Sequence, residues 1–338
     1  MEPLVSIIIP TKNRADWLLE AVASIQSQTY PEWEAIIVDD GTAEKERSRV
    51  KGLLDSESRC SYQPRAGVTS GAPVCRNQGL QLARGDYVVF LDDDDALASN
   101  CLENRVSAME SRPGLDFLVT PCQAFKSVLG DTSLIHNIET GQDALDRFIC
   151  LDTPWPISGP LWRRESLVRV GPWNENLPSF QDWDFHIRAL VCGLRYQWSG
   201  QVPDCYWRLP AASKVTIGGK SQSAEHLLSH MQLFCGTVDR LRDANLLTEE
   251  RKGLIAGLFF WLAESWLKLG QQEQALSVWE QGNERFVFTE EVYASGVTLL
   301  RSKSQMFLRR ALRKIFTLPY PQSFSVGDYS KTYRQYYL

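Results

Sequence analysis

Short apolar runs alternate with helix-like patterns through the first 120 residues of the chain. The first run, V-S-I-I-I at residues 5–9, is rich in β-branched residues, which favours a buried strand that Pro10 would close. Apolar residues at helical spacing follow it and stop before Pro31. The same alternation predicts further strands at residues 35–38, 60–63 and 87–91, and helices at 44–54 and 76–83. This order is typical of an α/β protein whose mostly parallel central sheet is flanked by helices.

Polar residues collect where three of the predicted strands end. They lie at residues 10–13 after the first strand, 39–41 after the second and 92–95 after the fourth. Ligands of open α/β sheets bind beyond the carboxyl ends of the strands. We therefore expect these three groups to face one crevice.

The chain changes character near residue 220. Residues 115–210 mix short strands with a helix predicted at 183–192, whereas the sequence beyond Gly218-Gly219 is helical almost throughout. We predict an α/β domain at 1–220 and an all-helical C-terminal domain at 221–338. Within the latter, residues 262–279 have the spacing of one tetratricopeptide-like hairpin, but a single repeat also fits an ordinary helical pair packed on the first domain.

Composition narrows the class of protein. The 338 residues suit two domains of roughly 150 residues each. With 43% hydrophobic and 23% charged residues the chain is typical of a soluble globular protein. Its 36 basic and 41 acidic residues give a net charge of −5, which does not indicate a nucleic-acid-binding protein.

Cysteine usage and apolar runs predict the compartment. The eight cysteines include no C-x-x-C pair and no zinc-ligand cluster, so we expect buried free thiols in a reducing compartment. The N-terminus lacks the basic and apolar regions of a signal peptide. The longest apolar run, residues 254–263, is half of the roughly 20 residues that span a bilayer. These features predict a cytoplasmic protein that is at most peripheral to a membrane.

Three features carry candidate chemistry. The four aspartates at 92–95 repel one another, and a divalent cation shared with a diphosphate would relieve this, although a solvated acidic turn is the alternative. Arg76 begins a predicted helix, where it suits a phosphate or is an ordinary surface arginine. Asp40 suits a base or ribose, or else caps the turn after the second strand.

Five motifs in this order resemble glycosyltransferase family 2. They are V-S-I-I-I-P-T-K-N-R at 5–14, I-I-V-D-D-G-T at 36–42, R-N-Q-G at 76–79, G-D-Y-V-V-F-L-D-D-D-D at 85–95 and F-Q-D-W-D-F-H-I-R at 180–188. The resemblance covers about residues 4–215. It implies a Rossmann-like GT-A fold, a nucleotide-diphosphate sugar donor, a divalent cation (Mn²⁺ or Mg²⁺) and inversion at the anomeric carbon. Residues 1–115 would bind the nucleotide sugar, and residues 116–220 would face the acceptor.

The resemblance also implies roles for single residues toward the donor. Asp92 and Asp94 take the places of the family's D-x-D pair, with Asp94 as the metal ligand. Many relatives carry His in the segment where this chain has Leu209-Pro210, which leaves a third protein ligand in question. The implied donor-binding residues are Pro10, Thr11, Asn13, Asp40, Arg76, Asp92, Asp93, Arg208 and Ser213.

Asp182 stands at the position of the family's catalytic base. Direct displacement needs the acceptor hydroxyl deprotonated on the face opposite the leaving diphosphate, and a carboxylate held there can take the proton. Asp184, two residues on, fits a capping or structural role.

Aromatic residues and histidines offer further candidates. Trp155, Trp162 and Trp183 could stack on an acceptor sugar or pack in the core. His226 and His230 lie four apart and lack a third ligand, so we expect a solvated helix face rather than a metal site.

The segment 299–318 carries six basic residues and no acidic residue. Its apolar residues interleave at near-helical spacing, as in an interfacial helix that binds an anionic membrane surface. Packing against the acidic body of the protein is the alternative.

The sequence favours a non-processive, metal-dependent inverting glycosyltransferase of the hexosyltransferase type, with a UDP-sugar as donor and a glycan or glycoconjugate as acceptor. Processive members normally add membrane spans and a Q-x-x-R-W motif, and this sequence contains neither. A catalytically silent glycan-binding or scaffolding module is one alternative, against which intact Asp92, Asp94 and Asp182 argue. A sugar nucleotidyltransferase is another, but it would need a Gly-rich basic loop near residues 10–14.

Overall fold

The computed structural model describes residues 2–54, 57–136, 138–200, 202–209, 223–286 and 288–301. Ser213, the predicted domain boundary near 220 and the part of the basic segment beyond Arg301 lie outside the described residues.

A large mixed sheet and a small one organise the first 209 residues. The strands are β1 (Val5–Thr11), β2 (Trp33–Asp39), β3 (Cys60–Pro64), β4 (Tyr87–Phe90), β5 (Ala96–Leu97), β6 (Phe117–Val119), β7 (Cys122–Phe125), β8 (Pro160–Arg163), β9 (Tyr196–Trp198) and β10 (Cys205–Arg208). Seven form a sheet in the order β3-β2-β1-β4-β8-β6-β9, in which only the pairs made by β8 are antiparallel. The other three form a sheet in the order β5-β10-β7. The predicted α/β fold with a mostly parallel central sheet is confirmed.

Helices cover both faces of the large sheet. Those on one face are α1 (Ala15–Gln26), α2 (Glu44–Leu54) and α4 (Cys101–Glu110). The other face carries α3 (Ala72–Leu82), α5 (Ala144–Ile149), α6 (Arg164–Val170), α7 (Gln181–Val191) and the C-terminal helices α8 (Ala224–Asp243), α9 (Glu249–Lys268), α10 (Gln272–Phe286) and α11 (Glu290–Arg301). One continuous apolar core joins this face to the C-terminal helices, which supports a helical pair packed on the α/β region. Within the described ranges, every helix is too short or too polar to span a bilayer.

The end of β1 and the start of α3 are among the predicted boundaries that differ from the structure. Pro10 does not end β1, which continues to Thr11. It lies on the β4 side, where the last ladder bond runs from Leu91 N to Ile8 O, so its missing N–H interrupts no pairing. Helix α3 begins four residues earlier than predicted, because Pro73 fits its first turn.

Helix α3 lies very close to β1. A Cβ atom built at Gly79 would lie 2.4 Å from Cγ2 of Ile8, which is closer than carbon atoms can approach. Glycine at this position therefore lets the helix that carries Arg76 rest directly on the central strand.

The expectation of free thiols is wrong for two cysteines. Cys122 and Cys205 form a disulfide, because β7 and β10 pair in parallel and bring their Cα atoms within 4.7 Å. A separation of 83 residues hid this pair in the sequence. Cys75 and Cys101 are buried free thiols as expected, whereas Cys192 is exposed.

Candidate active site

The carboxyl ends of β1, β2 and β4 meet at one edge of the sheet, as predicted. Thr11 Oγ1, at the end of β1, donates to Asp93 Oδ2 at 2.8 Å. Lys12 Nζ, one residue on, lies 3.1 Å from Asp40 Oδ2 at the end of β2. The three polar groups found in the sequence therefore face one crevice.

Asp40 connects β2 to the loop before α3. Its carboxylate accepts from Arg65 Nε at 2.6 Å and from the backbone N–H of Gly71 at 3.1 Å, besides Lys12. The turn role belongs to its neighbour Asp39, which accepts from Thr42 N at 2.7 Å. A carboxylate has about four acceptor sites, so three donors on Asp40 leave room for a ligand hydroxyl.

Asn13 shapes the loop that follows β1. It adopts a left-handed backbone with φ 54°, which asparagine tolerates better than most residues. Its N–H donates to Thr42 Oγ1 at 3.0 Å and its Oδ1 accepts from Ala43 N at 2.9 Å. Asn13 therefore joins the loops after β1 and β2, and Pro10 precedes it inside β1.

Asp93 turns into the protein rather than toward the crevice. Its side chain is 6% exposed, and its two oxygens accept from Thr11 Oγ1 and, at 3.0 Å, from Arg14. The expectation that Asp93 contacts the donor does not fit this burial. Asp93 instead holds Arg14, which also lies 2.9 Å from Asp94.

Asp95 is buried on the opposite side of the same loop. It accepts from Ser158 Oγ at 2.7 Å and from the backbone N–H of Arg208 at 3.1 Å. Burial and the charge of Asp94 raise the pKa of Asp95 well above its usual range. These contacts join the loop of residues 92–95, the acidic loop, to the three-stranded sheet, which contains Arg208.

Asp92 and Asp94 remain open to the crevice, with 37% and 26% of their side chains exposed. Burial, followed by the charge of Asp92, raises the pKa of Asp94 to about 6. A divalent cation relieves such repulsion, and two carboxylates are a sparse oxygen site of the kind that Mg²⁺ or Mn²⁺ shares with a diphosphate. The residues therefore fit the predicted metal. Within the described residues, no three His, Cys, Asp or Glu side chains form a metal site by themselves.

Arg76 connects the acidic loop to the start of α7. Its guanidinium donates to Asp92 Oδ1 at 2.6 Å and to Gln181 Oε1 at 3.3 Å. It also packs on the ring of Trp173, 4.7 Å from the centroid, and is only 6% exposed. Arg76 is therefore a fixed part of the crevice wall and not a surface arginine.

Asp182 lies in the first turn of α7, directly after Gln181. Its Oδ1 accepts from Trp183 N at 2.9 Å. Burial raises the pKa of Asp182, and the nearby charge of Arg76 opposes the rise in part. Asp184 differs, because it is buried between Arg188 at 2.9 Å and Arg240 at 3.6 Å. Asp184 thus has the structural role that the sequence suggested, while Asp182 forms no ion pair among the described residues.

Arg208 supports the acidic loop from β10. Its Nε donates to the carbonyl of Asp94 at 2.9 Å, and it pairs with Glu20. The guanidinium lies 4.3 Å from the ring centroid of Phe125 and its side chain is 9% exposed. In this arrangement Arg208 holds the acidic loop, and a direct contact to a diphosphate stays a prediction.

The three candidate acceptor tryptophans are core residues. Trp155 and Trp162 are 0% exposed and Trp183 is 3% exposed, so a sugar ring cannot stack on them. Trp162 stacks on Phe117 instead, with ring centroids 4.2 Å apart. Core packing is therefore the correct one of the two interpretations.

The expectation of a solvated helix face is wrong for His230, whereas His226 is half-buried. His230 is 0% exposed, and its Nε2 lies 2.8 Å from Ser179 Oγ. His226, one turn earlier on α8, places Nδ1 3.1 Å from the same oxygen. Burial, followed by the repulsion of His226, lowers the pKa of His230 to about 4.

Sequence reasoning gave no role to Lys12, Arg14 and Arg65 and did not connect Ser158 with Asp95, although all four shape the site. Arg65 offered a usable signal, since it directly follows β3 at the same edge of the sheet as Asp40. Ser158 had none, because 63 residues separate it from Asp95.

Residues 6–168 match the family described as Glycosyl transferase family 2. These 163 residues are similar to the family and make up just under half of the 338-residue chain. A relative in Haemophilus influenzae, an uncharacterized glycosyltransferase, is 28% identical over 187 residues, which make up 55% of this chain and 62% of that protein. In Campylobacter jejuni, GalNAc(5)-diNAcBac-PP-undecaprenol beta-1,3-glucosyltransferase is 38% identical over 100 residues, 30% of this chain and 32% of that protein. The matched residues thus span less than two thirds of the length of either relative.

Solved structures show the same fold. S. aureus TarS 1–349 in complex with UDP matches with a TM-score of 0.62 at 17% identity, over 98% of this chain and 91% of that one. Mannosyltransferase PcManGT from Pyrobaculum calidifontis, in complex with GDP-Man and Mn²⁺, matches with a TM-score of 0.54 at 16% identity, over 93% and 88%. The predicted GT-A fold is confirmed by these matches.

Proposed function

We propose that this chain is a metal-dependent inverting glycosyltransferase that moves a sugar from a UDP-sugar to a hydroxyl group of a glycan or glycoconjugate. The observation that carries the proposal is the position of Arg76. This one buried guanidinium bonds both to Asp92, beside the proposed metal ligand Asp94, and to Gln181, beside Asp182. The carboxylates proposed to bind the metal and the proposed base Asp182 thus lie on two sides of Arg76.

The donor side is built from the ends of β1 and β2. Asp40 has an acceptor site for a ribose or base hydroxyl or N–H group, and Lys12 and Arg65 hold its carboxylate in place. Arg14 and Arg76 place two guanidinium groups next to the acidic loop, where they suit the negative charge of a diphosphate. Ser213 completes the proposed donor set but lies outside the described residues.

Asp92 and Asp94 would hold the divalent cation. When bound, such an ion stabilises negative charge on the diphosphate as it leaves. The chain's own part is to aim the two carboxylates: Arg208 holds the Asp94 carbonyl, and Arg76 holds Asp92. The PcManGT complex contains Mn²⁺, which supports this assignment by analogy.

Asp182 would act as the general base. The acceptor oxygen attacks the anomeric carbon while the bond from that carbon to the diphosphate oxygen breaks, and the hydroxyl proton passes to Asp182. One displacement inverts the anomeric centre. The raised pKa of Asp182 suits this role, because a carboxylate with a raised pKa is a stronger base.

The donor and acceptor classes rest on the relatives. TarS structures contain UDP and UDP-GlcNAc, which supports a UDP-sugar here. The name of the Campylobacter jejuni relative describes transfer to an undecaprenol-linked glycan, which supports a glycan or glycoconjugate acceptor. We propose transfer of single sugars rather than processive polymerisation, because the sequence lacks the Q-x-x-R-W motif.

A panel of UDP-, GDP- and dTDP-sugars tests the donor. We expect UDP-sugars to raise the melting temperature in the presence of Mn²⁺ or Mg²⁺, and to do so much less with EDTA. A shift with GDP- or dTDP-sugars alone would change the donor assignment. No shift with any donor would favour the silent glycan-binding module, and pyrophosphate release from UTP and a sugar phosphate would favour the nucleotidyltransferase.

Peripheral membrane binding through residues 299–318 is a separate proposal from the sequence. Leu299 and Leu300 are buried in the helical core, so a lipid-facing region can begin only after Arg301. Co-sedimentation with vesicles of phosphatidylglycerol and phosphatidylcholine tests it. Binding should weaken as salt rises, and no binding at low salt would leave packing against the acidic body as the explanation.

A further inference from the structure

The residues just before Asp182 are held by the C-terminal helix α8. Ser179 is buried, and its Oγ lies 2.8 Å from Nε2 of His230 and 3.1 Å from Nδ1 of His226. A hydroxyl can donate to one ring nitrogen and accept from another N–H. One directional chain of hydrogen bonds therefore satisfies both contacts and joins two distant parts of the sequence.

Phe180, the residue after Ser179, has a left-handed backbone that helices α8 and α9 help to hold. It precedes α7 with φ 59° and ψ 27°, a left-handed conformation that is costly for a bulky residue. Such conformations persist where the surroundings enforce them. The ring of Phe180 lies 4.4 Å from that of His230 and 5.9 Å from that of Trp261, measured between centroids. Helices α8 and α9 thus hold both the residue before the bend and the bend itself.

A second tie fixes the other side of the same helical turn. Asp184 Oδ1 lies 3.6 Å from Arg240 of α8, and its Oδ2 accepts from Arg188 at 2.9 Å. Asp182 lies between the two ties, three residues after Ser179 and two before Asp184. The direction in which α7 starts is therefore set from α8 at two points.

We propose that α8 positions the catalytic base. Ser179, held by His226 and His230, keeps Phe180 left-handed and so sets the direction in which the first turn of α7 presents Asp182. This inference rests on the proposed function, which gives Asp182 its role. Ser179, His226 and His230 are positioning residues, because they act through the backbone that leads into α7.

Ser179→Ala is the most direct test, since it removes one oxygen and leaves both rings in place. We expect kcat to fall about 10- to 100-fold, because a small misplacement of a base is costly, while KM changes less than about threefold. The assay is UDP release with water as acceptor, using whichever of UDP-GlcNAc, UDP-glucose and UDP-galactose the wild type hydrolyses fastest. Ser166→Ala is the matched control: Ser166 is also buried and also bonds to a polar side chain, Asp116, but lies on α6.

Rescue at His230 separates positioning from packing. His230→Gln keeps an amide nitrogen near the place of Nε2 and should retain most of the wild-type kcat. His230→Leu keeps apolar volume without the hydrogen bond and should lose as much as Ser179→Ala. If the Gln and Leu variants lose kcat equally, the ring acts by packing and the hydrogen-bond account is wrong.

Hydrogen exchange provides a readout that needs no turnover. In Ser179→Ala, amides of residues 180–184 should exchange at least about tenfold faster than in wild type, while those of residues 164–170 should not change. Unchanged exchange together with unchanged kcat would overturn the inference. Asp182→Asn distinguishes failure of the proposed function from failure of the positioning role. Full activity in Asp182→Asn would contradict the proposed function. An inactive Asp182→Asn together with a fully active Ser179→Ala would contradict only the positioning role.

Discussion

Two acidic segments lie on either side of Arg76, and each contains both fixed and open carboxylates. In the loop after β4, Asp93 and Asp95 are fixed by hydroxyl and arginine donors, while Asp92 and Asp94 face the crevice. In the first turn of α7, Asp184 is fixed between two arginines, whereas Asp182 has no cationic partner among the described residues.

The two segments differ in where their supports come from. The supports of the acidic loop, Thr11, Arg14, Ser158 and Arg208, all belong to the α/β region. The first turn of α7 depends in addition on Arg240 of α8. The metal side of the proposed site is therefore self-contained, while the base side depends on the C-terminal helices.

Substitution of Asp182, the aspartate of α7 that has no cationic partner among the described residues, should have the largest effect on the transfer rate. Asp182→Asn removes the base, and we expect the transfer rate to fall about 10²- to 10⁴-fold with UDP binding within twofold of wild type. Asp184→Asn is the comparison variant: it disrupts a buried ion pair and one tie to α8, so it should reduce stability and lower the rate by less than Asp182→Asn does. Initial rates, UDP calorimetry and melting curves of both variants check this. Equal rate losses in the two variants would contradict the distinction between Asp182 as the open carboxylate and Asp184 as the fixed one.

In the acidic loop, the open Asp94 can be compared with the fixed Asp93, and the expected effect is smaller than that of Asp182→Asn. Asp94→Asn should weaken UDP binding in the presence of Mn²⁺ by at least about tenfold, since loss of even a supporting group of a metal site costs 10- to 100-fold. Without metal the two proteins should bind UDP alike. Asp93→Asn should instead lower the melting temperature, because Asp93 holds Thr11 and Arg14. Calorimetry with and without EDTA distinguishes the two.

The raised pKa of Asp182 predicts a pH dependence of opposite sign for rate and stability. The base works deprotonated, so the rate should fall up to tenfold per pH unit below that pKa, which lies above the usual value of about 3.9. Protonation of a carboxyl group with a raised pKa favours the folded state, so this group's contribution to stability rises as pH falls. Asp182→Asn should therefore melt higher than wild type at pH 7. A lower melting temperature would show that the Asp182 charge stabilises the fold.

The smallest effect is expected at a support of the acidic loop. Ser158→Ala removes the hydroxyl donor to Asp95 and should cost about 1–3 kcal/mol of unfolding free energy. UDP binding should change less than twofold, because Asp95 faces away from the crevice. Urea unfolding and UDP calorimetry measure the two quantities.

The sequence predicted the α/β sheet because buried parallel strands leave uninterrupted β-branched runs such as residues 5–9. It predicted the convergence of Thr11, Asp40 and the acidic run because parallel strands place their carboxyl ends together. It did not identify Asp93 as a buried member of the acidic run, since Arg14, which binds it, lies 79 residues earlier in the chain. The burial of the three tryptophans, the Cys122–Cys205 bond and the contact of His230 with Ser179 depend likewise on packing that spacing does not encode.

The contact of Gly79 with Ile8 bears on how variants of this protein would be interpreted. Any larger residue at Gly79 would push α3 away from β1, and Arg76 lies one turn earlier on that helix. The guanidinium would then shift from both Asp92 and Gln181 at once. A substitution at Gly79, which has no side chain in the site, would thus disturb both contacts of Arg76 through geometry rather than through chemistry.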